Sequence, residues 1–152
     1  MTRHLRCPSE DDTVEAGRIL AAEVVPGDCL LLEGDLAAGK TTFTRGLVDG
    51  LGGDVADVSS PTFVIVQNYP CTLPVRVVHH VDLYRLPLDP GSVAEIGLEE
   101  FLSEPDAVVV VEWPRDVVGH WLPARPRVWT IRFDVVEDGR VLSVTAPGEG
   151  AA

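Results

Sequence analysis

One lysine, Lys40, is present among the 152 residues of this chain, and the other eleven basic residues are arginines. It belongs to the segment GDLAAGKT, residues 34–41, which fits the phosphate-binding pattern G-x-x-x-x-G-K-[ST] at every fixed position. In this pattern the backbone N–H groups of the loop surround a polyphosphate, and the lysine ammonium reaches between two phosphates. The sequence therefore predicts a nucleotide-binding protein.

A bound triphosphate also needs magnesium, which prefers oxygen ligands. The hydroxyl of Thr41 directly follows Lys40 and can be one ligand. Asp82 ends the segment VVHHV and Glu112 ends a valine run, both of which predict strands, and the carboxyl ends of parallel strands meet at one edge of a sheet. We therefore expect both acids beside the loop, although the strand pattern does not decide which of them serves the metal.

A phosphate loop of this kind needs a strand before it and a helix after it. Residues 28–33 form an apolar run bounded by Pro26-Gly27 and Gly34, which predicts a buried parallel strand. Apolar residues recur at helical spacing over 41–51, and Gly52-Gly53 gives a stop signal. An earlier helix is expected after Ser9, with acids in its first turn, ending before Pro26.

The remaining segments predict further strands and weak helices around this unit. The predicted elements are a strand pair at 62–69 and 76–82, two short helical pieces within 91–103, a central strand at 107–112, and a hairpin of 127–134 with 141–145 around Asp138-Gly139. The expected fold class is α/β, a P-loop NTPase-like mixed sheet with flanking helices. One domain is expected over residues 1–146, with a disordered tail at 147–152.

Composition limits the classes of partner. The net charge of −12 opposes direct, stable binding to a nucleic-acid backbone, so any role near RNA requires a basic partner. Three widely spaced cysteines without a C-x-x-C pair support neither a disulfide framework nor a zinc site. No segment has the apolar length of a membrane span or an export signal, so a cytoplasmic location is expected.

Five motifs in register resemble the TsaE family, formerly called YjeE. They cover roughly residues 9–120 and are GDLAAGKTTFTRG at 34–46, SPTF at 60–63, HVDLYRL at 80–86, GLEEFL at 97–102 and VEWP at 111–114. One departure is Ala37, where the family usually has glycine. A Cβ at that position is tolerable only if the residue keeps a negative φ.

The resemblance implies a small bacterial P-loop ATPase that works with TsaB and TsaD to make threonylcarbamoyladenosine next to the anticodon of tRNA. It implies that Lys40 and backbone amides of the loop hold the ATP phosphates. The loop residues concerned are Ala37, Ala38, Gly39, Thr41 and Thr42. The resemblance also implies that Thr41 and Glu112 bind Mg²⁺ and that Asp82 with Thr62 forms the switch and hydrolytic part. Thr13 and Trp113 are expected close to the nucleotide.

Two other functions share the phosphate loop. A small-molecule kinase would need an acceptor pocket and a basic lid, and the stretch 115–127 has no pattern that indicates one. A non-catalytic nucleotide-sensing adaptor would bind ATP without turnover, even with its partner proteins present. A GTP switch is disfavoured, because the guanine-reading sequence Asn-Lys-x-Asp needs a second lysine.

Overall fold

The computed structural model describes residues 2–35, 38–58, 66–83, 98–112 and 127–148. The elements in these ranges are seven strands, three α-helices and one short 3-10 helix. In chain order they are β1 (Thr2–Cys7), α1 (Glu10–Ala21), β2 (Cys29–Glu33), α2 (Lys40–Gly50), the 3-10 helix Val55–Asp57, β3 (Val66–Pro70), β4 (Val77–Asp82), α3 (Leu98–Ser103), β5 (Ala107–Glu112), β6 (Val128–Val136) and β7 (Gly139–Thr145).

All seven strands form one mixed sheet in the order β1-β7-β6-β2-β5-β4-β3. The central strands β6, β2, β5 and β4 run parallel, whereas β1, β7 and β3 pair antiparallel with their neighbours. β5 has every residue buried, because apolar clusters cover both of its faces. Val108 and Val110 join one cluster, while Val109 and Val111 join the other. The predicted α/β mixed sheet is therefore confirmed.

Helices α1 and α2 pack against each other at two glycines. A Cβ on Gly17 would lie 2.2 Å from the backbone oxygen of Phe43, and a Cβ on Gly46 would lie 1.8 Å from that of Val14. Only glycine permits such an approach of two backbones. The interface fixes α1 beside the first turn of α2, which follows the phosphate loop.

The strand and helix predictions are largely confirmed. Ser9 caps α1 through the Asp12 amide, and the Asp12 carboxylate accepts from the Ser9 backbone. The two predicted hairpins are the antiparallel pairs β3–β4 and β6–β7. Parts of three predictions, at 62–65, 91–97 and the tail 149–152, lie outside the described residues. Among the described helices, none is both long enough and apolar enough to cross a membrane.

One strand has no counterpart in the sequence predictions. β1 pairs with β7 at the edge of the sheet, from Thr2 opposite Thr145 to Cys7 opposite Arg140. Four of its first five residues are exposed, so the hydrophobic pattern by which strands are recognised is weak in this segment. Only Pro8 and Ser9 separate β1 from the start of α1.

Candidate functional site

A pocket of about 400 Å³ lies where the parallel strands end and α2 begins. The start of α2 contributes Gly39, Lys40, Thr41 and Thr42, and the last residues of β4 and β5 contribute Asp82 and Glu112. The carboxyl edge of parallel strands is the usual ligand site of open α/β sheets. The structure thus brings the predicted lysine, hydroxyls and acids together at one pocket.

Lys40 is the first residue of α2, and only 4% of its surface is exposed. Its Nζ donates to the carbonyl oxygen of Gly34 at 2.6 Å, so the side chain folds back over the loop. Burial lowers the pKa of the ammonium below its usual 10.5, and the negative charges of Glu112, Asp82 and Asp35 oppose that shift. A cation in this position is well suited to meet an anionic ligand.

The described part of the loop depends on two glycines. Gly34 has φ of 154°, and a Cβ there would lie 2.8 Å from the backbone oxygen of Phe133. Gly39 caps α2 with φ of 106°. This backbone conformation is unfavourable for any residue that has a side chain. Both positions are fixed in the phosphate-binding pattern, so the backbone geometry explains why the pattern requires glycine there.

Oxygen donors in the pocket fit a magnesium ion. Asp82 and Glu112 are register partners on adjacent parallel strands, and the hydroxyl-bearing Thr41 lines the same pocket. Within the described ranges, no three His, Cys, Asp or Glu side chains form a cluster that could hold a metal. This donor set suits Mg²⁺, which is usually held by one or two carboxylates together with substrate phosphates and water.

Thr13 lies where the first helix meets the phosphate loop. Its side chain is buried in the pocket wall, and its hydroxyl donates to the Ser9 backbone oxygen at 3.4 Å. A Cβ on Gly39 would lie 3.4 Å from the Thr13 methyl carbon. The structure thus brings Thr13 to the loop, and its expected place close to the nucleotide stays a prediction.

Arg140 is a pocket residue that the sequence analysis missed. It lies on β7, and its Nε donates to the Ala38 backbone oxygen at 3.1 Å while its Nη1 donates to the Gly139 oxygen at 3.0 Å. The turn at Asp138-Gly139 was predicted, but no signal in the sequence indicates that this hairpin reaches the phosphate loop. That follows only from the parallel pairing of β6 with β2.

Of the residues proposed from the sequence, most fall within the described ranges and meet at this pocket. Those that line it are Thr13, Gly39, Lys40, Thr41, Thr42, Asp82 and Glu112. Ala38 is buried in the loop beside it. Ala37, Thr62 and Trp113 lie outside the described residues, so their predicted roles stay predictions.

Known proteins resemble this chain over most of its length. A model of the family described as threonylcarbamoyl adenosine biosynthesis protein TsaE matches residues 7–141. The tRNA threonylcarbamoyladenosine biosynthesis protein TsaE of Streptomyces coelicolor is 41% identical over 137 residues, which cover 89% of this chain and 90% of that protein. The Bacillus subtilis protein of the same name is 36% identical over 143 residues, covering 94% of this chain and 85% of its own length.

The fold also matches a solved structure. The crystal structure of Bacillus subtilis YdiB superposes with a TM-score of 0.65 at 31% sequence identity. The match covers 97% of this chain and 86% of the other. Sequence and fold therefore indicate the same group of proteins.

Proposed function

Because the chain belongs to the TsaE family, we propose that it binds and slowly hydrolyses ATP with magnesium, in support of threonylcarbamoyladenosine formation on tRNA. The relatives' names support the tRNA-modification role. The pocket supports the nucleotide role, because a buried lysine, a helix N-terminus and two acids meet in it. That single arrangement carries the proposal.

Lys40 and the loop amides would bind the polyphosphate. A phosphate tail at the start of α2 meets the partial positive charge of the helix and its N–H groups that lack a partner within the helix. The Lys40 ammonium adds a full charge from within the pocket wall. Its present hydrogen bond to Gly34 keeps the side chain over the loop, so little side-chain ordering is needed on binding.

Thr41 and Glu112 are the residues that we propose hold Mg²⁺. The ion, when bound, neutralises charge that develops on the transferred phosphoryl group. Asp82, on the neighbouring strand, would orient the attacking water together with Thr62. This division gives one carboxylate to the metal and the other to the water.

The acidic surface bears on how the protein reaches tRNA. A net charge of −12 repels the phosphate backbone, so we propose that a TsaB–TsaD-type complex contacts the tRNA and that this protein acts through that complex. From the proposed role in tRNA modification, we expect the protein to act in the cytoplasm. ATP turnover would then be slow in the isolated protein and coupled to its partners.

Lys40→Ala tests the nucleotide proposal. We expect ATP binding to fall below detection by titration calorimetry, because the substitution removes the only lysine in the chain. Arg45→Ala is the matched control, since Arg45 is an exposed cation on the same helix that does not line the pocket. It removes the same charge and should leave the affinity unchanged. Equal ATP affinity in the Lys40→Ala and unsubstituted proteins would contradict the proposal.

A further inference from the structure

A chain of buried polar side chains runs from β3 through β4 to β5 and ends at the pocket. The Tyr69 hydroxyl contacts Gln67 Oε1 and lies 3.0 Å from Nδ1 of His80. On the other side of the imidazole, Nε2 of His80 contacts Oε2 of Glu112. His80 is completely buried, and Tyr69 and Glu112 are 2% and 4% exposed.

Such a chain is costly unless each member has a defined partner. Burying a hydroxyl, an imidazole and a carboxylate away from water is unfavourable without hydrogen bonds. The neighbours of His80 on the same face of the sheet, Val78 and Val110, belong to the apolar core. A valine at position 80 would continue that core, so packing alone does not account for a histidine there.

We propose that His80 is a positioning residue that fixes the Glu112 carboxylate for the metal; the inference rests on the proposed role of Glu112. A carboxylate has two oxygens with about four acceptor sites, so the contact at Oε2 leaves Glu112 capacity to bind an ion from the pocket. Partners of this kind hold metal-binding side chains in one orientation, and their loss typically reduces metal affinity roughly 10- to 100-fold.

Tyr69 contacts the His80 ring on the side opposite to Glu112. A tyrosine hydroxyl has one proton, and Tyr69 donates it to Gln67 Oε1, which can only accept. The Tyr69 oxygen is then left to accept from Nδ1–H of His80, so the imidazole is held between Tyr69 and Glu112. Tyr69 therefore acts on Glu112 through His80, across three adjacent strands.

The test is the Mg²⁺ dependence of ATP binding in two variants of His80. Asn at this position places its amide near Nδ1, whereas Gln can place its amide near Nε2, within reach of Glu112. We expect His80→Asn to raise the Mg²⁺ concentration for half-maximal ATP binding about 10-fold or more, and His80→Gln to restore most of the loss. A merely structural role would not distinguish the two variants in this way.

His79→Asn is the matched control. His79 precedes His80 in the chain, but its side chain lies on the opposite face of β4, where it contacts Asn68, Glu104 and Phe101. Its substitution should leave the Mg²⁺ dependence unchanged. Thermal unfolding of each variant without metal separates loss of fold from loss of metal binding.

Glu112→Gln in the same titration separates this inference from the proposed function. If Glu112→Gln leaves the Mg²⁺ dependence unchanged, the proposed role of Glu112 is wrong and the inference is overturned with it. If Glu112→Gln weakens it and His80→Asn does not, only the positioning role is overturned. In the double variant, His80→Asn should add no further weakening, because its effect passes through the missing carboxylate.

Tyr69→Phe decides the question if His80→Asn fails to fold. It removes one oxygen atom at the end of the hydrogen-bonded series farthest from the pocket, and it leaves the imidazole and Glu112 in place. We expect a smaller increase in the Mg²⁺ requirement, in the same direction. An unchanged requirement in Tyr69→Phe would then overturn the positioning role.

Discussion

Lys40 shows how far a single residue could be understood before the fold was known. Its type and spacing predict a phosphate ligand, and the structure places it at the first position of α2, as that role requires. Its burial and its bond to Gly34 could not be read from the sequence, since they depend on which strand ends and loop residues surround it in the folded chain. Those contacts determine how strongly its charge is disfavoured in the free protein.

The lowered pKa of Lys40 predicts proton uptake when ATP binds at alkaline pH. Burial holds the pKa below 10.5 in the free protein, and a polyphosphate beside the ammonium should raise it. Between these two pKa values the free protein is partly deprotonated and the complex is protonated, so binding must take up a proton. The phosphates of ATP are already ionised in that range, because their last pKa is about 6.

Calorimetry in two buffers with different ionisation enthalpies measures this uptake. The observed binding enthalpies should differ between the two buffers in the alkaline range. They should converge at lower pH, where Lys40 is protonated in both the free protein and the ATP complex. Unfolding of the free protein should also take up a proton in the alkaline range, because the unfolded lysine has its ordinary pKa. Its unfolding free energy should rise with pH between the folded pKa and 10.5, since the unfolded state binds more protons there. Buffer-independent enthalpies throughout the alkaline range would contradict the assignment.

At the scale of elements, the hairpin of β6 and β7 reaches the phosphate loop, a position that its sequence does not predict. Alternating residues and the Asp138-Gly139 turn predict the hairpin itself, and the observed register confirms it. The neighbour of β6 could not be predicted, because a two-residue period shows which face is buried but not which strand lies alongside. Pairing with β2 brings the returning strand, and Arg140 with it, to the phosphate loop.

Arg140 should strengthen ATP binding by orienting one peptide group of the loop. A trans peptide is planar with its C=O and N–H pointing in opposite directions, so the bond from Arg140 to the Ala38 oxygen also directs the Gly39 N–H. Hydrogen bonds to charged groups contribute about 1.5–3 kcal/mol. We therefore expect Arg140→Ala to weaken ATP binding about 10- to 100-fold, measured by titration calorimetry.

Arg132→Ala provides the comparison on the same hairpin. Arg132 is exposed, forms an ion pair with Asp134 and does not line the pocket, so its removal changes the net charge equally. Equal ATP affinities in the Arg140→Ala and Arg132→Ala proteins would show that the contact with the loop carbonyl does not matter for binding.

For the whole molecule, the sequence predicts the centre of the sheet better than its edge. β2 and β5 lie buried in the middle of the sheet and are almost entirely apolar, and their composition predicts them. β1 is an edge strand with mostly exposed side chains, so little hydrophobic pattern is present to find it. The excess of acidic residues is also a property of the whole molecule. It limits which molecules the protein can contact directly.

The charge predicts that the isolated protein does not bind tRNA stably, even at low salt. Proteins that neutralise RNA phosphates bind more tightly as salt is lowered, whereas a net charge of −12 is repelled more strongly under the same conditions.

Modification of tRNA should nevertheless require this protein when it is reconstituted with its partner proteins and ATP, and Lys40→Ala should abolish it while Arg45→Ala supports it. Modified adenosine is quantified by mass spectrometry of digested tRNA. Unchanged modification without the protein would refute the proposed function, and tight, salt-sensitive tRNA binding by the isolated protein would refute the indirect role.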